Sequence, residues 1–191
     1  MSLAPDDLLA ALGRRGAILD GHFRLSSGRH SQRFVQKFRI LEDPVLVTDV
    51  ARSLVEQLRS FSPTIVVSAA VGGIVLGYEC ARQLGMLGIF VEKEQGVPTL
   101  RRGFVLTPSD RVLVVEDVVT TGLSVREIFA VVHAHAAEVV AVGVIVRRAQ
   151  VDFGVPTIAL LDLPIESYDA AACPQCAAGI AISEPGSRNL A

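Results

Sequence analysis

The chain reads in two rhythms. Up to Pro63 its apolar residues recur mainly at helical spacing, and beyond it they gather in short consecutive runs. An amphipathic helix is predicted to start near Pro5, where proline suits the first turn and Asp6 and Asp7 favour the helix dipole, and to stop by Gly16. Short extended pieces follow around Ile18 and Phe34. Asp43-Pro44 then reads as an N-cap with a first-turn proline, and Val47, Val50, Ala51, Leu54, Val55 and Leu58 repeat at i, i+3 and i+4 behind it. The runs beyond Pro63 are Thr64–Ser68, Ile89–Glu92, Val112–Glu116, Val139–Val146 and Ile158–Leu161. Consecutive Val and Ile suit strands covered on both faces. Candidate helices Gly73–Leu84 and Ser124–His135 lie between runs, so the order predicts an α/β chain with a mostly parallel five-stranded sheet and right-handed crossovers. The segment from Tyr168, rich in Ala, Gly and Pro, reads as an appendage folded over the sheet.

Composition narrows this picture. With 191 residues, half of them hydrophobic, the chain fits one domain of the usual size of about 100–200 residues and has ample apolar surface to offset chain entropy. A net charge of -2 lacks the basic excess of a nucleic-acid partner. Three cysteines, at 80, 173 and 176, make no disulfide framework, which points to a reducing cytoplasm. The apolar run Leu8 to Leu12 is too short for a signal peptide, and the uncharged stretch Phe61 to Tyr78 is broken by Pro63, Ser68 and Gly72-Gly73, so no membrane partner is expected.

The residues that carry chemistry cluster in Arg111-Val-Leu-Val-Val-Glu-Asp-Val-Val-Thr-Thr-Gly-Leu-Ser124. A buried strand runs into the adjacent carboxylates Glu116 and Asp117, then turns through Thr120, Thr121 and Gly122 into a helix whose free N–H groups form a phosphate cradle. Two carboxylates repel phosphate, yet they suit hydroxyls or a metal carried beside it, as in a sugar phosphate. A second strand–turn–helix passage, Val66-Val-Ser-Ala-Ala-Val-Gly-Gly-Ile74, has the small residues that let a backbone approach a second anion. The polar stretch Glu92 to Gly103 carries Lys93, Arg101 and Arg102 and reads either as a mobile cationic lid or as an exposed hairpin.

The string Val112 to Ser124 resembles the phosphoribosyl-pyrophosphate signature of type I phosphoribosyltransferases, and Gly21-His-Phe-Arg-Leu-Ser-Ser-Gly-Arg-His-Ser31 is similar to the N-terminal segment of the orotate-using branch. With Ser68–Gly73 and the Cys-Pro-x-Cys tail before Pro185-Gly-Ser-Arg188, the likeness covers nearly all the chain. The resemblance implies the type I fold as a single domain over 1–191, with a hood from about 1–40 and 165–191. It implies transfer of the phosphoribosyl group of 5-phosphoribosyl 1-pyrophosphate to orotate, giving orotidine 5′-monophosphate in pyrimidine biosynthesis. By the same resemblance Glu116 and Asp117 bind ribose hydroxyls, Thr120, Thr121, Gly122, Leu123 and Ser124 cradle the 5′-phosphate, and Val118 and Val119 belong to the same substrate-binding stretch. Ala69, Ala70, Val71 and Gly72 face pyrophosphate and Mg²⁺, which is held through substrate and water with no direct protein ligand, and Phe34 and Arg148 meet orotate. A homodimer is implied in which each lid serves the neighbouring site.

Two departures stand out: Ser26 occupies a position where many members have Lys, and the lid lacks the usual basic pair followed by Lys and His. Other readings are a purine or uracil phosphoribosyltransferase and a regulator that senses the phosphoribosyl donor without turnover. Cys173-Pro-Gln-Cys176 supplies only two ligands, with Cys80 left over and no histidine nearby in sequence, so no structural metal is expected there.

Overall fold

The computed structural model describes residues 3–25 and 27–185. Its elements in chain order are α1 (Pro5–Arg14), β1 (Ile18–Arg24), β2 (His30–Val35), α2 (Phe38–Leu41), α3 (Pro44–Leu58), β3 (Ile65–Ala69), α4 (Gly72–Leu84), β4 (Leu87–Glu94), β5 (Val97–Leu100), β6 (Arg111–Val119), α5 (Leu123–Ala134), β7 (Glu138–Arg147), β8 (Thr157–Asp162) and α6 (Pro174–Ala177). The main sheet has six strands in the order β5-β4-β3-β6-β7-β8. Its five parallel strands are the five apolar runs of the sequence, and β5 adds an antiparallel edge to β4. The strand expected to end at Glu116 continues to Val119, so the acid pair lies within β6. The uncharged stretch 61–78 divides into strand, turn and helix, and no helix among the described residues is long and apolar enough to cross a membrane.

Consecutive apolar residues are needed because the sheet is covered on both faces. Val66 of β3, Leu113 and Val115 of β6 and Ile145 of β7 pack against α1, α3 and α4, while Val67, Val112, Val114 and Val144 point the other way toward Val125, Ile128 and Val132 of α5. The Asp43 side chain caps α3 as the sequence predicts, accepting from the N–H groups of Val45 and Leu46. Close approach of α3 to the sheet is set at Gly143. A Cβ there would lie 2.6 Å from Leu58 Cδ1.

Over the carboxyl end of the sheet, β1 and β2 form an antiparallel hairpin. The C-terminal segment folds against it. His30 and Tyr168 exchange both backbone hydrogen bonds, Arg24 N–H donates to Ser183 C=O, and Ser183 N–H donates to His22 C=O. Ser31 Oγ–H donates to the Glu166 carbonyl, and Arg29 donates to the Ser167 hydroxyl and carbonyl and pairs with Asp169.

Gly143→Ala is expected to cost about 1–3 kcal/mol by overpacking against Leu58. In a Leu58→Ala background, itself about 2–5 kcal/mol less stable, that added cost is expected to fall below ~1 kcal/mol. Urea unfolding of the four proteins of this cycle checks it; strict additivity would show that Leu58 does not set the helix–sheet spacing.

Candidate active site

The sheet order creates the site. From β3 the chain crosses through α4 to β4 on one side, and from β6 it crosses through α5 to β7 on the other, so the two connections diverge between β3 and β6. In open parallel sheets such a divergence leaves a crevice beyond the strand ends, where ligands bind. The turn at 69–72 and the acid pair with the turn after β6 face each other across it.

Asp117 is 1% exposed and Glu116 5%. Burial of that depth demands compensation. Asp117 obtains it from Lys37, which follows β2: Lys37 Nζ lies 2.9 Å from Oδ2 and 3.2 Å from Oδ1, and Oδ1 also accepts the Val118 N–H at 2.7 Å. Space for the pair exists because residue 72 has no side chain; a Cβ on Gly72 would stand 2.0 Å from Asp117 Oδ2 and 2.5 Å from Lys37 Nζ. Glu116 is handled differently. Burial, followed by the neighbouring Asp117 charge, pushes its carboxyl up to about 8, while the Asp117 N–H it accepts acts weakly in the opposite direction. One acid has a cation against it, and burial holds the other protonated near neutrality.

Beyond β6 the backbone turns at Gly122, whose φ of 77° favours glycine and whose Cβ would meet Phe153 at 2.8 Å and Val151 at 2.9 Å. The first N–H groups of α5 have no acceptor within the helix, and Leu123 N–H finds only the Thr121 hydroxyl at 3.4 Å. These groups open onto a cleft of about 570 Å³. Its other walls are Leu25, Ser27, Arg29 and Phe34 from the hairpin, Arg148 and Ala149 after β7, and Ile165 and Ser167 from the C-terminal segment. Arg148 is set apart by its surroundings. Its Nε is buried without a hydrogen-bond partner, no carboxylate among the described residues pairs with it, and burial lowers its basicity. A half-buried guanidinium with an unpartnered Nε invites an anionic ligand.

Of the residues singled out in the sequence, Phe34, Glu116, Val118, Val119, Thr120, Thr121, Gly122, Leu123, Ser124 and Arg148 line this cleft. Asp117 lies behind it against Lys37 and Gly72, which brings the turn of Ala69, Ala70 and Val71 alongside. Ser26 lies outside the described residues. Lys93, Arg101 and Arg102 do not line the cleft of their own chain: they sit on and after the β4–β5 hairpin, Lys93 paired with Glu127 at 2.7 Å, Arg102 with Glu92 at 3.1 Å, and Arg101 with Glu92 and Glu94. Sequence reasoning missed Lys37 and Arg29. The one available signal for Lys37 was indirect, since a buried Asp117 requires a cation, but nothing in the spacing points to a residue eighty positions earlier. The ligand shortage seen in the sequence does not hold in the fold. Hairpin pairing and the returning C-terminal segment bring His22 and His30 onto Cys173 and Cys176, so the missing ligands come from across the chain.

The family model for the phosphoribosyl transferase domain matches residues 39–152. The orotate phosphoribosyltransferase of Pelotomaculum thermopropionicum is 46% identical over 187 residues, covering 97% of this chain and 98% of that protein. That of Thermotoga maritima is 46% identical over 181 residues, covering 94% and 97%. Among solved structures, orotate phosphoribosyltransferase from Aeropyrum pernix superposes with a TM-score of 0.68 at 27% identity, over 81% of this chain and 92% of that one. The acid pair at the divergence of the sheet, the cradle after it and these full-length likenesses agree: this chain belongs to the phosphoribosyltransferases, in the orotate phosphoribosyltransferase family.

Proposed function

We propose that this chain transfers the phosphoribosyl group of 5-phosphoribosyl 1-pyrophosphate to orotate, releasing pyrophosphate and orotidine 5′-monophosphate. The observation that carries the reading is a single cleft in which a helix N-terminal phosphate cradle, a buried acid pair and a half-buried arginine whose Nε has no hydrogen-bond partner converge. The N–H and hydroxyl groups from Thr120 to Ser124 hold the 5′-phosphate. Glu116 and Asp117 take the ribose hydroxyls and oppose the positive charge that develops on the sugar as the anomeric C–O bond to pyrophosphate breaks and the bond to the orotate nitrogen forms. Lys37 positions Asp117 through their ion pair. Arg148 receives the orotate carboxylate, and Phe34 supplies an apolar wall. Mg²⁺ would be held chiefly through substrate oxygens and water beside the turn of Ala69–Gly72, and would neutralise charge on the departing pyrophosphate.

The active unit in this reading is a homodimer in which the β4–β5 hairpin and the turn after it serve the neighbouring cleft. Two features support this. Arg101 and Arg102 pair with Glu92 and Glu94 of β4 and Lys93 with Glu127 of α5, and none of the three lines the cleft of its own chain. Val71, Val75 and Tyr78 form an exposed apolar stripe at i, i+4 and i+7, continued in sequence by exposed Leu87 and Val97.

Loss of orotate absorbance on adding the phosphoribosyl donor with Mg²⁺ is expected, with no turnover of uracil, adenine or hypoxanthine. Asp117→Asn is expected to lower the rate about 10²–10³-fold and, because it breaks the ion pair with Lys37, to lower Tm as well; orotate turnover near the parent level in that variant removes Asp117 from the mechanism.

Lys93→Ala and at least one of Arg101→Ala and Arg102→Ala are each expected to lower kcat more than tenfold, about 1.4 kcal/mol. Mixing Asp117→Asn subunits with a lid variant is expected to restore partial activity, since one hybrid site is then intact. No recovery after demonstrated subunit exchange, or a monomer in light scattering, counts against the shared lid.

The raised Glu116 carboxyl also gives a pH dependence. Between its ordinary value of 4.5 and about 8 the folded chain holds a proton that the unfolded chain has released, so this contribution to stability is present at low pH and is lost as pH rises through about 8. Glu116→Gln lacks that loss. Its Tm relative to the parent is expected to increase from pH 5 to pH 9, and a difference that stays constant across that range refutes the assignment.

A further inference from the structure

Away from the cleft floor, four side chains that play no part in the transfer reaction converge inside the hood. His22 Nε2 lies 3.0 Å from His30 Nδ1, 3.5 Å from Cys173 Sγ and 3.6 Å from Cys176 Sγ, and Cys176 Sγ lies 3.2 Å from His30 Nδ1. All four ligand atoms fall within 4.8 Å of one another, and His22, His30 and Cys173 are each less than 5% exposed. We propose that this tetrad is a structural zinc site that staples the N-terminal hairpin to the C-terminal segment.

The distances suit a tetrahedral ion. Zn–S bonds of about 2.3 Å and Zn–N bonds of about 2.0–2.1 Å require edges of about 3.4 Å between nitrogens, about 3.6 Å from nitrogen to sulfur and about 3.8 Å between sulfurs. The donors are already near those edges without an ion to draw them in. The tautomer is fixed as well. His22 Nδ1 lies 2.7 Å from the Ile180 carbonyl, which can only accept, so Nδ1 carries the proton and Nε2 presents its lone pair to the other three groups. A backbone carbonyl behind the far ring nitrogen is the usual support for a metal-bound histidine. Two thiolates and two imidazoles select zinc over the hard cations, and the two-residue spacing of Cys173 and Cys176 at the start of α6 is the ordinary spacing of such ligands. On binding, each thiol gives up its proton to solvent as its sulfur takes the metal.

The placement gives the site a role. β1 carries His22 and β2 begins at His30, so the two histidines clamp both ends of the loop that supplies Leu25, Ser27 and Arg29 to the cleft. Cys173 and Cys176 lie just beyond Ser167 and Asp169, to which Arg29 is bonded. Otherwise the two segments are joined by a few backbone bonds and side-chain contacts, against which a four-coordinate ion adds a cross-link more than 140 residues long in sequence.

The test uses the full chain without a histidine tag, purified in reducing buffer free of chelator. Elemental analysis is expected to find one zinc per chain, and replacement by Co²⁺ to give tetrahedral d–d absorption with thiolate-to-cobalt charge transfer. Cys176→Ser is expected to bind zinc more than tenfold more weakly, and stripping the parent with a strong chelator to lower Tm by more than about 5 °C. Zinc content below about a tenth per chain that added Zn²⁺ does not raise, a different metal, or zinc retained by the Cys173→Ser, Cys176→Ser double variant overturns the site. An unchanged Tm after complete stripping overturns the staple. The cobalt spectrum of the parent decides the ligand set even if a variant does not fold, and none of these readings depends on which base the enzyme uses.

Discussion

The ion pair between Lys37 and Asp117 is the constraint around which the rest is arranged. A carboxylate 1% exposed at the end of a parallel sheet is tolerable only with a cation against it, and that cation comes from a segment outside the sheet. The pair therefore fixes where the β1–β2 hairpin leaves off and α2 begins, relative to β6. It also dictates the opposite wall, since any side chain at residue 72 would collide with it. Hairpin, sheet and the turn before α4 thus meet at one contact between two charged groups.

Much of this fold was legible because its signals are local. Strands buried on both faces announce themselves as unbroken Val and Ile runs, Asp43-Pro44 announces a capped helix, and the acid pair followed by Thr-Thr-Gly announces a strand end opening onto a helix N-terminus. All five parallel strands and both crossover helices came from such signals within a residue or two to three of their ends. The polar stretch 92–103 was less decidable, because Gly, Pro and charges suit both a loop and an exposed edge. In the structure, Val91 pairs with Leu100 and Glu94 with Val97, so the stretch folds as a strand pair whichever role it serves, a fact of cross-strand register that composition does not carry.

What stayed hidden depends on contacts between residues far apart in the chain. Lys37 carries no motif; its meaning comes from Asp117. The two cysteines were visible as half of a ligand set, but their histidines lie 151 and 146 residues away and meet them only because the C-terminal segment returns to pair with the hairpin. Spacing rules for metal ligands work when all ligands sit in one short stretch, and they fail when two chain ends build the site together.

The same geometry resolves the puzzle that the sequence poses, two carboxylates beside a phosphate cradle. Repulsion would be severe if both were bare anions in a buried site. Asp117 is neutralised by Lys37, and Glu116, desolvated and beside Asp117, keeps its proton near neutral pH. Arg148 lacks a carboxylate partner among the described residues, so the charge left facing the cleft from these four groups is positive, and the N-terminus of α5 adds to it. An incoming phosphate therefore meets an attractive field, although the chain as a whole carries -2. In the proposed reaction, sugar hydroxyls donating to Glu116 would favour its ionised form, its proton passing to solvent, so that a second negative charge would arise where positive charge develops on the sugar.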